Sequence, residues 1–266
     1  MVAVWSSWRG KVDGWAKSHR KLPSAWKLFR GAARDYRAHW RPLVAITLIV
    51  TVPVALLSNY GINPSSDTTL SAYLAFAQIA MNTALIYAIV QLLQGRKVTV
   101  KQAYYTGSGA LVRLLLVAIL LVLMALLIVL GVIILGYGVV VPGVALSGGE
   151  QFLLAVLAII IAIPSVILLT RGFWALYVIF ETDKGPLQAI RQSRKLTKGK
   201  VVITLGRLIA LVLLLLLVMI VPIVLLQFLQ NLTHWSIFLV ILQVIASLVV
   251  LPLSNLYLYR YYQALK

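Results

Sequence analysis

Cysteine is absent from this chain, and acidic residues are scarce, with six Asp and Glu against 24 Lys and Arg. The lack of cysteine excludes disulfide frameworks, thiolate nucleophiles and cysteine-based zinc sites. Charged residues of both signs make up only 11% of the chain, whereas hydrophobic residues make up 62%. A water-soluble globule of this composition would not have enough polar groups to cover its surface. The sequence therefore predicts an integral membrane protein.

The few acidic and histidine residues form no recognisable catalytic pattern. Only Glu181 and Asp183 are close enough along the chain to pair, and we interpret them as balancing the charge of nearby Lys184. The three histidines lie far apart, so no metal site is expected. No glycine-rich phosphate loop precedes a Lys and a Ser or Thr. We therefore expect a protein that is not an enzyme and carries no cofactor.

Six apolar stretches are long enough to cross the hydrocarbon core, which takes about 20 helical residues. Several are longer than a perpendicular span requires, so we expect tilted helices. The predicted fold class is all-α, a polytopic membrane protein whose six transmembrane helices form three helical hairpins, with basic amphipathic helices at the cytoplasmic interface. The predicted spans are 42–59, 69–94, 111–136, 151–180, 200–230 and 235–262.

The positive charge lies in the N-terminal region, in alternate connections between these spans and in the helix ends that approach them. The connections 60–68, 137–150 and 231–234 contain no Lys or Arg, although the formal net charge is +18. Cytoplasmic loops are enriched in Lys and Arg, so both termini and the basic loops are predicted to face the cytoplasm across the cell (inner) membrane. Because the cations lie beside membrane spans, the expected partner is anionic lipid rather than nucleic acid.

Residues 1–41 precede the first span and combine tryptophan with ten Lys and Arg. After Pro23, with Ser24 as a candidate N-cap, aromatic residues recur at helical spacing. Tryptophan on one face and cations on the other are typical of helices in the headgroup plane. The alternative is a topology signal alone. The predicted interfacial anchors are Trp26, Phe29, Tyr36 and Trp40, with Tyr257 and Tyr261 at the end of the last span.

The basic segment 181–205 lies between two apolar runs and repeats a pattern found earlier in the chain. Aligning Ala32 with Ala189 places residues 46–48 opposite 203–205, so that Ile-Thr-Leu matches Ile-Thr-Leu. A weaker third copy begins at Val98. Three copies predict the three hairpins named above. The alternative is that hairpins with basic loops merely resemble one another.

The residues 189–200, AIRQSRKLTKGK, carry a family resemblance. They resemble the signature of bacterial six-span membrane proteins related to the membrane domain of glycerophosphodiester phosphodiesterases. The resemblance runs from Trp26 to the end of the sequence and implies a six-span helical fold. The chemistry of that family belongs to a separate soluble barrel with no counterpart in this sequence, so the resemblance implies no catalytic residue.

Arginines that enter the apolar spans are the main candidates for function, because an ionisable group at depth is costly. Arg207 follows Lys200 by seven residues, about 10 Å of helix, and Arg171 precedes Glu181 by ten, about 15 Å. An inward-facing pocket of such arginines would suit a phosphate headgroup. The alternative is that the side chains snorkel to the nearest interface. The candidate headgroup-binding residues are Arg113, Arg171, Arg207 and Arg260.

A stripe of small residues lies on the second predicted span. Ala80, Ala84 and Ala88 are spaced to allow close helix contact, and Asn82 is placed to hydrogen-bond a neighbouring helix. We interpret these four residues as helix-packing positions.

The leading functional hypothesis is a membrane protein that interacts with anionic lipid headgroups in the cytoplasmic leaflet. One alternative is an accessory or assembly subunit of a larger membrane protein complex, in which the tryptophan-rich N-terminal region contacts other subunits. Another is a transporter of small solutes or lipids. The transporter hypothesis is weaker, because three parallel hairpins differ from the inverted repeats typical of secondary transporters.

Overall fold

The computed structural model describes residues 22–59, 68–140, 148–182, 185–233 and 237–266. The regular secondary structure in these ranges is entirely helical. The tryptophan-rich helix predicted within residues 1–21 lies outside them, as do Asp183 and Lys184. The helices are α1 (Ala25–Ala38), α2 (Trp40–Asn59), α3 (Thr68–Leu93), α4 (Val100–Val140), α5 (Gly148–Gly172), α6 (Ala175–Thr182), α7 (Pro186–Leu196), α8 (Val201–Thr233) and α9 (Ile237–Leu265).

Six helical stretches are long and apolar enough to cross a membrane, which confirms the predicted all-α polytopic membrane protein. Five of the six coincide with α2, α3, α4, α8 and α9. The sixth joins α5 to α6 across a short turn at 173–174. The spans are Trp40–Leu57, Thr69–Leu93, Val100–Ile134, Gly149–Thr182, Val201–Leu229 and Val240–Leu265.

The predicted boundaries need correction at two places. The helix predicted to start at 111 begins at Val100, because Thr99 caps it: the Thr99 hydroxyl accepts the backbone N–H of Gln102 at 3.3 Å. The polar residues after Val100 are therefore helical and do not form a loop. The predicted span 151–180 is interrupted at 173–174, directly after Arg171 and Gly172.

Helices α1 and α7 are short and amphipathic. The Ser24 side chain accepts the backbone N–H of Lys27 at 3.3 Å, so Ser24 is the N-cap of α1 as predicted. Helix α7 begins with Pro186, whose missing N–H costs nothing at that position. Gly199 has φ +75° and turns the chain into α8. Each helix buries one face and exposes a row of Lys and Arg. We call α1 and α7 together the basic collar.

The ends of the long helices near the collar lie together. The Tyr104 hydroxyl near the start of α4 donates to the carbonyl of Ile46 near the start of α2, at 2.8 Å. Thr204 near the start of α8 lies 3.1 Å from the hydroxyl of Tyr261 near the end of α9. The Lys and Arg residues of the described ranges lie in the collar and toward these helix ends. We call this side of the bundle the basic end.

Close helix contact between α3 and α4 depends on small residues. A Cβ on Gly107 would lie 3.3 Å from the Cα of Ala84, so the two helices approach almost to backbone contact. Ala84 and Ala88 are buried and Ala80 is half-buried. The Asn82 amide differs from the prediction, because it donates to the carbonyl of Gln78 in its own helix at 3.1 Å.

Helix α1 completes the hydrogen bonding of α9. Pro252 cannot donate to the carbonyl of Leu248 four residues earlier. The Tyr36 hydroxyl fills this place and donates to the Leu248 carbonyl at 3.1 Å. Burial raises the pKa of Tyr36 above its usual value, so its hydroxyl remains a donor. The proline in α9 is therefore accommodated by a side chain of the collar.

Candidate anion site at the basic end

The turn between α5 and α6 is fixed to the collar. Helix α5 ends at Gly172, so the backbone carbonyl of the preceding residue, Arg171, lies at this turn. The Ser193 hydroxyl of α7 donates to that carbonyl at 2.5 Å. Ser193 is completely buried, so this contact holds α7 against the end of α5. The backbone of Arg171 is thereby held in place by α7.

Trp174 lies in the same turn and is completely buried. Its ring contacts the ring of Tyr261 edge to face, with the centroids 5.3 Å apart, and the ring of Phe173 at 5.4 Å. Tyr261 in turn shares a hydrogen bond with Thr204 of α8. The Tyr261 ring therefore links the turn after α5 to the start of α8.

Arg207 lies one helical turn after Thr204 on α8. Its backbone carbonyl accepts the hydroxyl of Tyr257 at 3.1 Å, which ties α8 to α9. Helix α8 also contacts α5, the helix that carries Arg171. Both arginines are half-buried. Arg171 thus lies three residues before Trp174, and Arg207 lies three residues after Thr204, which shares a hydrogen bond with Tyr261.

Three nitrogen atoms in this region are buried and have no hydrogen-bond partner. They are Nε of Arg171, Nε1 of Trp174 and Nε of Arg207. A buried donor without a partner costs about 1–3 kcal/mol, and more when the group is charged. The carboxylates of Asp35 and Glu181, in the described part of the basic end, bond to other residues. We call Arg171, Trp174 and Arg207 the orphan-donor site.

Arg260 has a different environment from these arginines. Its guanidinium donates to both carboxylate oxygens of Asp35, at 2.5 Å from Nε and 2.8 Å from Nη2. Gly31 makes room for it, because a Cβ there would lie 2.6 Å from Nη1. The sequence predicted a headgroup contact for Arg260, but its charge is compensated within the protein. Arg113 is half-buried in α4.

A second carboxylate, Glu181, joins α6 to the end of α9. It accepts hydrogen bonds from the hydroxyls of Tyr259 at 3.1 Å and Tyr262 at 2.9 Å, and it pairs with the ammonium group of Lys266. The Glu181 side chain is only 11% exposed. Our interpretation of Glu181 as a surface partner of Lys184 was wrong about its environment, because burial with three donors makes it a structural contact.

The predicted aromatic anchors divide into two groups. Trp26 and Trp40 are 55% and 50% exposed, and the guanidinium groups of Arg30 and Arg41 lie over their rings. Phe29 is buried and packs in the core, unlike a side chain that reaches the headgroups.

Tyr257 and Tyr261 also differ from the prediction, since both are completely buried. Each hydroxyl bonds inside the protein, to the carbonyl of Arg207 and to Thr204 respectively. A tyrosine hydroxyl that has a hydrogen-bond partner inside the protein can be buried at low cost. The enrichment of tyrosine at membrane interfaces, on which the prediction depended, does not distinguish this case.

The structure brings together residues that sequence reasoning missed. Trp174 was not singled out, and only its position three residues after Arg171 associates it with a candidate arginine. Asp35, the acidic residue of α1 beside four Lys and Arg, was not singled out either. The spacing of Tyr259 and Tyr262 places both on one face of α9, with Lys266 directly after the helix, and this was an available signal for a buried acidic partner.

No family model, curated protein or solved structure matches this chain. The resemblance to the membrane domain of glycerophosphodiester phosphodiesterases therefore stays a prediction. The function has to be argued from the geometry of the basic end.

Proposed function

We propose that this protein is a non-enzymatic membrane protein whose basic end binds the headgroups of acidic lipids in the cytoplasmic leaflet of the cell membrane. The observation that carries the proposal is the basic collar. Its two helices turn an apolar face into the bundle and present cations beside the ends of six apolar spans. Such an arrangement matches interfacial helices that attract anionic lipid.

The exposed faces of the collar combine charge with apolar surface. On α1 a depression of about 310 Å³ is lined by Trp26, Phe29, Ala33 and three arginines. On α7 a depression of about 410 Å³ is lined by Gln188, Arg191, Gln192 and Lys195. An acidic lipid has both an anionic headgroup and apolar chains, so it is complementary to such surfaces.

Equivalent cations recur in the two collar helices. The alignment of Ala32 with Ala189 also places Arg34 opposite Arg191 and Arg37 opposite Arg194, and all four arginines are exposed. Both alanines are completely buried. This shared pattern supports the same role for both helices at one membrane face.

The proposal is tested by counting lipids bound to the purified protein by native mass spectrometry. The protein is titrated with phosphatidylglycerol or phosphatidylcholine in neutral detergent. We expect the wild type to retain more phosphatidylglycerol. Changing Arg34, Arg37, Arg191 and Arg194 to Gln lowers phosphatidylglycerol affinity steeply, since each cation near an anionic surface contributes about 1 kcal/mol.

The matched control replaces the same four arginines by Lys, which keeps the charge and changes the side-chain shape. We expect this variant to retain phosphatidylglycerol nearly as the wild type does. The proposal fails if the wild type does not distinguish the two lipids, or if the Gln variant binds phosphatidylglycerol as well as the wild type.

A further inference from the structure

We propose that Arg171, Trp174 and Arg207, the orphan-donor site, bind a phosphate group. This inference deepens the proposed function and rests on it insofar as an acidic lipid supplies the phosphate. It concerns one buried and two half-buried residues, not the exposed collar arginines. The two ideas can therefore be tested with separate variants.

The strongest indication is the indole nitrogen of Trp174. The side chain is completely buried, and its Nε1 has no hydrogen-bond partner. The rings of Tyr261 and Phe173 pack on it at 5.3 and 5.4 Å, so the indole cannot swing out to meet solvent. A partner for this N–H must come from a group that enters the site.

The two arginines add charge to this donor. Nε of Arg171 and Nε of Arg207 are buried and lack partners, like the indole nitrogen. Snorkelling would place the Nη groups of these arginines in the headgroup region, but it would give no partner to the buried Nε of either side chain. An anion that accepts from both arginines would satisfy the donors and offset the positive charge.

The chemistry of the donors favours phosphate over other anions. The site offers N–H groups and no described acidic side chain that pairs with them, so its partner must be an acceptor with several charged oxygens. Guanidinium groups bind phosphate oxygens bidentately. A phosphate group carries four oxygens in a tetrahedral arrangement, so it can accept hydrogen bonds from two guanidinium groups and the indole N–H on different sides. A carboxylate has only two oxygens, and both lie in one plane.

The two arginines of the site are partly accessible from outside the protein. Arg171 and Arg207 are only half-buried, so part of each side chain reaches the surface. Helix α7, which is bonded to the Arg171 carbonyl through Ser193, carries the exposed Arg191. The collar therefore supplies positive charge at the approach, and the orphan-donor site supplies the directional hydrogen bonds.

The test uses the full-length protein, stripped of lipid in neutral detergent. Phosphatidylglycerol binding is measured by native mass spectrometry, and inorganic phosphate binding by calorimetry. Trp174→Phe removes one N–H and keeps an aromatic ring against Tyr261. The matched control, Trp40→Phe, removes an indole N–H from a half-exposed tryptophan of the collar region.

We expect Trp174→Phe to weaken phosphate-group binding about tenfold, as the loss of one hydrogen bond to a charged acceptor implies. Arg171→Gln combined with Arg207→Gln should weaken it about a hundredfold or more, because two such contacts are lost. Trp40→Phe should bind as the wild type does. Thermal unfolding of each variant shows whether it is folded. If the double variant is not folded, the binding measured for Trp174→Phe alone decides the proposal.

The two sources of phosphate are separated by competition. If inorganic phosphate displaces phosphatidylglycerol and its own binding weakens in Trp174→Phe, the site takes a free anion. If only phosphatidylglycerol binds and only its binding weakens, the site takes a lipid headgroup. Both results support the proposal.

The proposal is overturned if Trp174→Phe and the double Gln variant both bind phosphatidylglycerol and inorganic phosphate as tightly as the wild type, or if the wild type binds neither. If lipid binding is lost in the collar Gln variant but not in the variants of the orphan-donor site, the proposed function stands and this site is rejected. A wild type that does not prefer phosphatidylglycerol over phosphatidylcholine would reject the proposed function, and the inorganic phosphate measurement then decides the site.

Discussion

Arg260 and Arg207 lie in the same layer of the basic end, yet their surroundings are opposite. The guanidinium of Arg260 forms two hydrogen bonds with Asp35, whose side chain is 12% exposed. Arg207 has a buried Nε without a partner, and the contact it makes with Tyr257 uses its backbone carbonyl. One arginine is built into the fold, and the other has hydrogen-bonding capacity left over.

This difference teaches how to sort buried arginines in a chain so rich in cations. An arginine with a carboxylate partner costs stability when it is changed, because its partner is then left unpaired. An arginine without a partner costs little when it is changed, and it has donors available for a ligand. Changing Arg260 should therefore lower the stability of the protein, whereas changing Arg207 should lower its affinity for a ligand.

The largest effect is expected for Asp35→Asn. This change removes the charge opposite Arg260 while preserving the shape of the side chain. We expect the free energy of unfolding in detergent to fall by about 2 kcal/mol, less than for a fully buried pair because Arg260 is partly exposed. Chemical denaturation measures it. An unchanged free energy would mean that the pair with Asp35 does not distinguish Arg260 from Arg207.

Glu181→Gln tests the second carboxylate of the basic end. The amide can still accept from Tyr259 or Tyr262, but it loses the charge that attracts Lys266. We expect a loss of about 1–1.5 kcal/mol, as for one weakened charge-assisted contact. The control Lys266→Gln should reproduce most of this loss in the same denaturation experiment. A loss restricted to Glu181→Gln would assign the effect to the tyrosines.

Gly31→Ala tests the space around the Arg260 guanidinium. The added Cβ would lie 2.6 Å from Nη1, so the guanidinium must shift away from Asp35. We expect a destabilisation of about 1 kcal/mol. Combining Gly31→Ala with Asp35→Asn should cost less than the sum of the two, since both weaken one contact. Additive losses would show that the methyl group acts elsewhere.

The smallest effect is expected for Arg207→Met in protein without added anion. The substitution removes a buried donor that has no partner and leaves the backbone contact with Tyr257 in place. We expect the free energy of unfolding to change by less than about 0.5 kcal/mol. Added inorganic phosphate should stabilise the wild type more than this variant. A large fall in the free energy of unfolding without anion would mean that Arg207, like Arg260, is a structural arginine.

The fold class and the six spans were accessible from the sequence because hydropathy over about 20 residues determines whether a helix can cross a membrane. The turn at 173–174 was not predicted, because hydropathy averaged over a whole span masks the local signal of Thr170, Arg171 and Gly172 just before the turn. Hydropathy reports the environment of a segment and not the continuity of its helix.

The candidate site was predicted only in part. Arg171 and Arg207 were selected because ionisable residues in a span stand out. Their difference from Arg260 depends on Asp35, which lies 225 residues from its partner, and no local pattern specifies that pairing. The burial of Tyr261 against Trp174 likewise depends on how α6 and α9 pack, which spacing along one helix does not determine.

The contacts between α1 and α9 have a consequence for the synthesis of the chain. Asp35 and Tyr36 leave the ribosome long before Arg260 and Leu248, which complete their hydrogen bonds. At about 5–20 residues per second, the 225 residues between Asp35 and Arg260 take roughly 11–45 s to translate. During that interval α1 lacks its contacts with α9. The first described helix is therefore among the last to reach its native contacts, because these contacts form only after α9 has been synthesised.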